Sequence, residues 1–199
     1  MNKLHLFLCA GITIAAICAA ATAAMSDKMK YSFVGSQECR KCHSSDSIGN
    51  QYRVWENSPH SKAYRNLRTE QGKKIGESAG IKNPPEDQAC LKCHTTGGGK
   101  DPKTAAEGVG CEACHGPASG YGEISNHAAY GDKEKDYARA TTYGMYKILD
   151  IEGIKLREKM CRRCHTVERP CAPSDPDEKK RSELALSVIA DFIFKHPLK

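Results

Sequence analysis

Cys-x-x-Cys-His occurs four times in this chain: Cys39-Arg40-Lys41-Cys42-His43, Cys90-Leu91-Lys92-Cys93-His94, Cys111-Glu112-Ala113-Cys114-His115 and Cys161-Arg162-Arg163-Cys164-His165. No other feature constrains the fold as strongly. Zinc also favours paired cysteines, and four pairs could build two structural sites. Zinc, however, gives no reason for a histidine directly after every second cysteine. With 8 histidines in 199 residues, four such coincidences would arise on the order of once in 10⁶ trials, whereas covalent haem requires that residue each time. A thioredoxin-like redox pair would occur once, beside a βαβ pattern, and the sequence has none. The motifs therefore predict four covalently bound c-type haems. Cys39, Cys42, Cys90, Cys93, Cys111, Cys114, Cys161 and Cys164 add to the vinyl groups. His43, His94, His115 and His165 bind iron from below.

The ends and the composition agree with that reading. Lys3, an apolar run over residues 4–17 and the small-residue stretch Ala21-Thr22-Ala23 read as a secretory leader cleaved after Ala23. The run is short for a membrane anchor, and bulky Ile17 disfavours a lipoprotein site at Cys18. Residues 1–23 are thus the signal and residues 24–199 one domain. The expected compartment is the periplasm, with the cell surface or exterior as the alternative. Cys9 and Cys18 leave with the leader, which makes Cys171 the odd cysteine of the exported chain; the sequence assigns it no role. The formal charge of +6 falls to +5 once Lys3 is removed. Basic and acidic residues interleave, which argues against a nucleic-acid surface. Mean hydropathy is −0.59, with 4 Phe and 1 Trp. So few large apolar residues make a poor core, and a prosthetic group would supply what is missing.

Outside the motifs and the leader's His5, three histidines remain for the far side of the irons: His60, His127 and His196. His60 follows Ser58 and Pro59, a cap and first-turn pair, and leads an apolar face of Ala63, Tyr64 and Leu67. His127 starts a short helix capped by Ser125 or Asn126. His196 continues the stripe Leu184, Val188, Ile189, Phe192 and Ile193, with Pro197 ending the helix. Four irons and three spare histidines leave one iron short. It is five-coordinate, or takes Met145, Met29, Met160, a lysine or a neighbouring molecule's histidine.

Taken together, "CRKCH" with "SPHSKAY", "CLKCHTTGGG", "GVGCEACHGP", "NHAAYG", "CRRCH" and a late helix bearing a histidine resemble the tetrahaem cytochrome c-554 family of ammonia-oxidising bacteria. The resemblance implies a mainly α-helical multihaem cytochrome c fold, with helices and loops wrapped around the haem cluster. It also implies ligand pairs: His43 with His127, His115 with His196, and His165 with His60. His94 would hold the second haem alone.

The expected function is electron transfer between donor and acceptor redox proteins, with a membrane cytochrome as a peripheral partner. Two alternatives stand beside it. An open second haem would bind nitric oxide or another small nitrogen species, or the chain would self-assemble into an extracellular filament with a neighbour completing the ligand set. Helices are expected over residues 51–69, 149–165 and 178–195, with loops at Asn83-Pro84-Pro85 and Gly97-Gly98-Gly99 and a turn after Gly116-Pro117. Sixteen residues separate motifs 2 and 3, so their haems are expected to be neighbours.

Overall fold

The computed structural model describes residues 30–148, 151–166 and 168–171. Within them the regular structure is helical and contains no strand. The α-helices are α1 (Ser36–His43), α2 (Gln51–Glu56), α3 (Ala63–Asn66), α4 (Glu70–Ser78), α5 (Gln88–His94), α6 (Pro102–Ala105), α7 (Cys111–His115), α8 (Ile124–His127), α9 (Lys133–Thr142) and α10 (Ile151–Arg162). Short 3-10 turns span Asp46–Ile48, His60–Lys62 and Thr96–Gly99.

Three motifs lie wholly on helices α1, α5 and α7, and the fourth starts in the last turn of α10. There the His165 N–H still reaches the Cys161 carbonyl at 2.9 Å, so one helical turn carries both cysteines and the histidine. In a helix, positions i, i+3 and i+4 share a face. The motif spacing therefore turns two thiols and one imidazole toward the same side.

The helix expected over residues 51–69 is broken into three pieces. Pro59 supplies no N–H and disfavours helical backbone at Ser58. The Ser61 hydroxyl takes up the freed carbonyls of Glu56 (2.8 Å) and Ser58 (3.0 Å). Ser58 does not cap, because its hydroxyl is buried without a partner. Thr69 then caps α4, accepting from the Gly72 N–H at 3.1 Å. The helix expected over 149–165 is Ile151–Arg162. The one expected over 178–195, with His196, lies outside the described residues. His127 closes α8 rather than opening it, and no side chain caps that helix.

The apolar core is small, as the composition requires. Its main cluster is Ala118, Tyr121 and Ala140, with Val34, Tyr143 and Met145 packed against it. A buried polar knot does much of the remaining joining. Glu112 is 1% exposed. Its carboxylate accepts from the backbone N–H of Gly35 (2.8 Å), Val34 (3.0 Å) and Ala118 (2.6 Å). Glu107 accepts from the Ser36 N–H at 2.8 Å, and the Ser36 hydroxyl accepts from the Cys111 N–H at 3.1 Å. Thr96 accepts from the Gly110 N–H at 2.8 Å and donates to the Gly108 carbonyl at 3.2 Å. These bonds tie the starts of motifs 1 and 3 to the end of motif 2.

Gly108 has φ +80°, and a Cβ there would stand 2.5 Å from the His60 carbonyl oxygen. That carbonyl also accepts from the Val109 N–H at 2.9 Å. Gly108→Ala must therefore adopt left-handed backbone and displace the His60 turn. A loss of about 2–3 kcal/mol is expected, measured by thermal unfolding under far-UV circular dichroism. An unchanged midpoint would contradict this packing.

Candidate functional site

Chain-distant histidines meet in two places. The rings of His43 and His127 have centres 6.3 Å apart with planes at 25°. The rings of His60 and His165 have centres 5.9 Å apart with planes at 72°. Neither distance is one of tight ring stacking. A metal–imidazole bond is about 2 Å, so two rings on opposite sides of one iron have centres about 6 Å apart. Both pairs are at the separation an iron between them requires.

The outer nitrogens of these rings point the same way. Metal-binding histidines commonly hand their other ring N–H to a carbonyl or carboxylate. His94 Nδ1 lies 2.8 Å from the Ala63 carbonyl, His127 Nδ1 3.1 Å from the Glu123 carbonyl, and His43 Nδ1 3.3 Å from Gln51 Oε1. Each bond leaves Nε2 for a metal. Burial pushes His43, His60 and His165 below the usual histidine range, and the facing His165 adds to the effect at His60. A neutral imidazole is the form that binds iron. Among the described residues, no three or more His, Cys, Asp or Glu side chains converge as a zinc site would need. The residues fit haem: paired thiols on one helical face, and an imidazole with its outer nitrogen held.

Each ligand is positioned by residues the sequence did not single out. Arg139 donates from Nε to the Ser125 carbonyl at 2.7 Å and from Nη2 to Asn126 Oδ1 at 3.3 Å, which fastens α8 and His127 to α9. The Trp55 indole donates to the Val109 carbonyl at 2.8 Å, holding the His60 turn against the start of motif 3. The Trp55 ring also packs edge-on against Tyr52. No sequence signal marks Glu112, because the two positions between paired cysteines are chemically free. Arg40, Lys41, Arg162 and Arg163 are exposed, as expected of solvated charges.

The motifs pair differently from their order in the chain. The thiols of Cys39 and Cys111 face one another closely enough to perturb each other's ionisation, and so do those of Cys93 and Cys164. The second contact is reciprocal: Cys93 Sγ lies 3.8 Å from the Arg163 carbonyl, and Cys164 Sγ lies 3.9 Å from that of Lys92. Thus motif 1 abuts motif 3 and motif 2 abuts motif 4. Motifs 2 and 3 are joined as well, by the Gly110 N–H donating to the Thr96 hydroxyl at 2.8 Å; the polar knot also draws the start of α7 to α1, and the end of α10 returns to α5.

His94 lies in the wall of a cavity of about 410 Å³ together with Cys90 and Cys93. Leu67, Ile75 and Ile81 give it an apolar lining. The size is within the range of about 300–1,000 Å³ typical of clefts for bound small molecules. Cys171 is in the same wall. Its proximity raises His94 above the usual histidine range, and the imidazole in turn holds the Cys171 thiol below the usual thiol range.

Residues 38–116, which carry the first three motifs, match the family model described as cytochrome c554 and c-prime. Over those residues the chain is similar to that family. Cytochrome c-554 of Nitrosomonas europaea is 31% identical over 99 residues, which are 45% of this chain and 40% of that protein. The chain thus aligns with about two fifths of its curated relative. No solved structure matches it. That similarity supports covalently bound haem c with iron. Motif 4, His127 and His196 lie beyond the segment that carries the family match.

Proposed function

We propose that the chain is an exported tetrahaem c-type cytochrome that passes electrons between donor and acceptor redox proteins of the periplasm. The observation that carries this reading is the facing of His43 with His127 and of His60 with His165 at ring separations near 6 Å. Haem iron, when bound, supplies the one-electron redox step. The chain's own residues hold it on both sides, so both oxidation states keep one ligand set and little rearranges on transfer. Two nitrogen ligands favour low potentials, since a thioether would raise them.

The cysteine contacts support an arrangement in two close pairs, 1 with 3 and 2 with 4, linked where Thr96 joins motif 2 to motif 3. His115 and His196 complete the third site in this reading. Among the described residues, no helix is long and apolar enough to cross a membrane, and the leader supports export. A membrane cytochrome is therefore met as a peripheral partner.

Reductive titration of the purified full chain, followed by haem quantification, tests the reading. Four covalent haems per chain, all reversibly reduced at negative potentials, are expected. Fewer than four haems, or a haem with the high potential of histidine–methionine ligation, would contradict it.

A further inference from the structure

We propose that Gln51 tunes the reduction potential of the haem anchored by motif 1, by accepting the outer N–H of His43 on a neutral, buried amide oxygen. The inference rests on the tetrahaem reading, because motif 1 must carry haem. His43 Nδ1 lies 3.3 Å from Gln51 Oε1. The amide has one workable orientation. Its Nε2 donates to the Ile48 carbonyl, an oxygen that can only accept. Oε1 is therefore the atom turned to the ring. It too can only accept, so His43 Nδ1 carries the hydrogen and His43 Nε2 keeps its lone pair for iron.

The fold holds this contact from both ends. His43 closes α1 and Gln51 opens α2. Gln37 of α1 donates to the Tyr52 hydroxyl of α2 at 2.7 Å, and Tyr52 is buried. In the connecting turn, the Gly49 N–H reaches the Asp46 carbonyl at 3.2 Å and the Asn50 amide donates to the Asp46 carboxylate at 2.8 Å. Gln51 itself is 6% exposed, so little water competes for its amide.

The outer nitrogens of His94 and His127 face backbone carbonyls, those of Ala63 and Glu123. His43 instead faces a side chain, so residue choice at position 51 sets the acceptor. Ferric iron withdraws more electron density from a bound imidazole than ferrous iron does, which makes the imidazole N–H a better donor in the oxidised state. An acceptor on that N–H therefore favours ferric iron and lowers the potential, and a carboxylate does so more than an amide. Gln51 places this haem between the two extremes of a charged acceptor and none. Motif 1 meets motif 3 where the Cys111 N–H donates to the Ser36 hydroxyl at 3.1 Å. The potential at motif 1 thus biases the direction of electron flow between those two haems.

The test is a potentiometric titration of the full-length holoprotein, followed by electron paramagnetic resonance, for wild type, Gln51→Glu and Gln51→Leu. Leucine keeps similar bulk and removes the acceptor. One haem is expected to shift to a more negative potential with glutamate and to a more positive one with leucine. The other potentials should hold, with no new high-spin signal in either variant. If Gln51→Leu fails to fold, Gln51→Glu decides alone. Unchanged potentials, or shifts of the same sign in both variants, would overturn the proposal. A new high-spin signal would also overturn it, by showing that Gln51 keeps His43 on the iron rather than tuning it. Haem mapping by peptide mass separates the two levels. Motif 1 without haem would defeat the tetrahaem reading and this inference together, whereas motif 1 with haem and an unmoved potential would defeat this inference alone.

Discussion

His60→Ala is expected to convert one haem of the oxidised protein from low spin to high spin and to leave the others unchanged. His60 is carried on the 3-10 turn His60–Lys62, and its ring faces that of His165 with centres 5.9 Å apart. In the proposed tetrahaem arrangement, truncation would remove one axial ligand without touching the thiols that would hold the porphyrin. The four-haem count should persist while a high-spin signal worth one haem in four appears. Exogenous imidazole should refill the gap and restore the low-spin spectrum. The two facing pairs differ in plane angle, 25° for His43–His127 and 72° for His60–His165. Near-perpendicular ligand planes bring the iron d orbitals toward degeneracy and widen the g anisotropy. The signal lost in the variant should therefore be the more anisotropic one. A variant that keeps all its low-spin intensity would show that His60 is not an iron ligand.

Glu112→Ala is expected to cost about 3–6 kcal/mol, the largest stability loss of any single side chain in the described residues. Three backbone N–H groups, from Val34, Gly35 and Ala118, converge on this buried carboxylate. Leaving a buried donor unpaired costs about 1–3 kcal/mol each, and a domain holds only about 5–15 kcal/mol in all. Denaturant unfolding followed by tryptophan emission measures the loss through Trp55, the only tryptophan. Glu112→Gln retains an acceptor oxygen and should recover part of the stability. A loss below about 1 kcal/mol for the alanine variant would contradict the role assigned to the knot.

The chemistry of this chain was legible in the sequence because covalent haem attachment needs residues at fixed short spacing. Cys-x-x-Cys-His specifies one helical face without reference to the rest of the fold. His60 and His127 stood out as candidates because few histidines remain once the motifs are assigned, and the fold sets them opposite His165 and His43. Long-range relations were not legible. Sixteen residues between motifs 2 and 3 suggested adjacency, and the Gly110–Thr96 bond agrees with it; that motif 1 also meets motif 3 and motif 2 meets motif 4 was not readable, because buried polar bonds through Ser36, Glu107 and Glu112 decide which helix ends meet. The helix expected over 51–69 ignored how thoroughly Pro59 interrupts it. Cys171 gave no signal of its own. Only the fold brings it into the wall beside His94, 77 positions earlier in the chain.

Near-infrared magnetic circular dichroism of the oxidised full-length protein reads axial ligand pairs directly, and so bears most closely on the claim that distant side chains meet in pairs across anchored haems. The expected spectrum has bis-histidine charge-transfer bands for the centres of motifs 1, 3 and 4 and no histidine–methionine band. High-spin bands from two or more haems, or a methionine band, would contradict the ligand pairing.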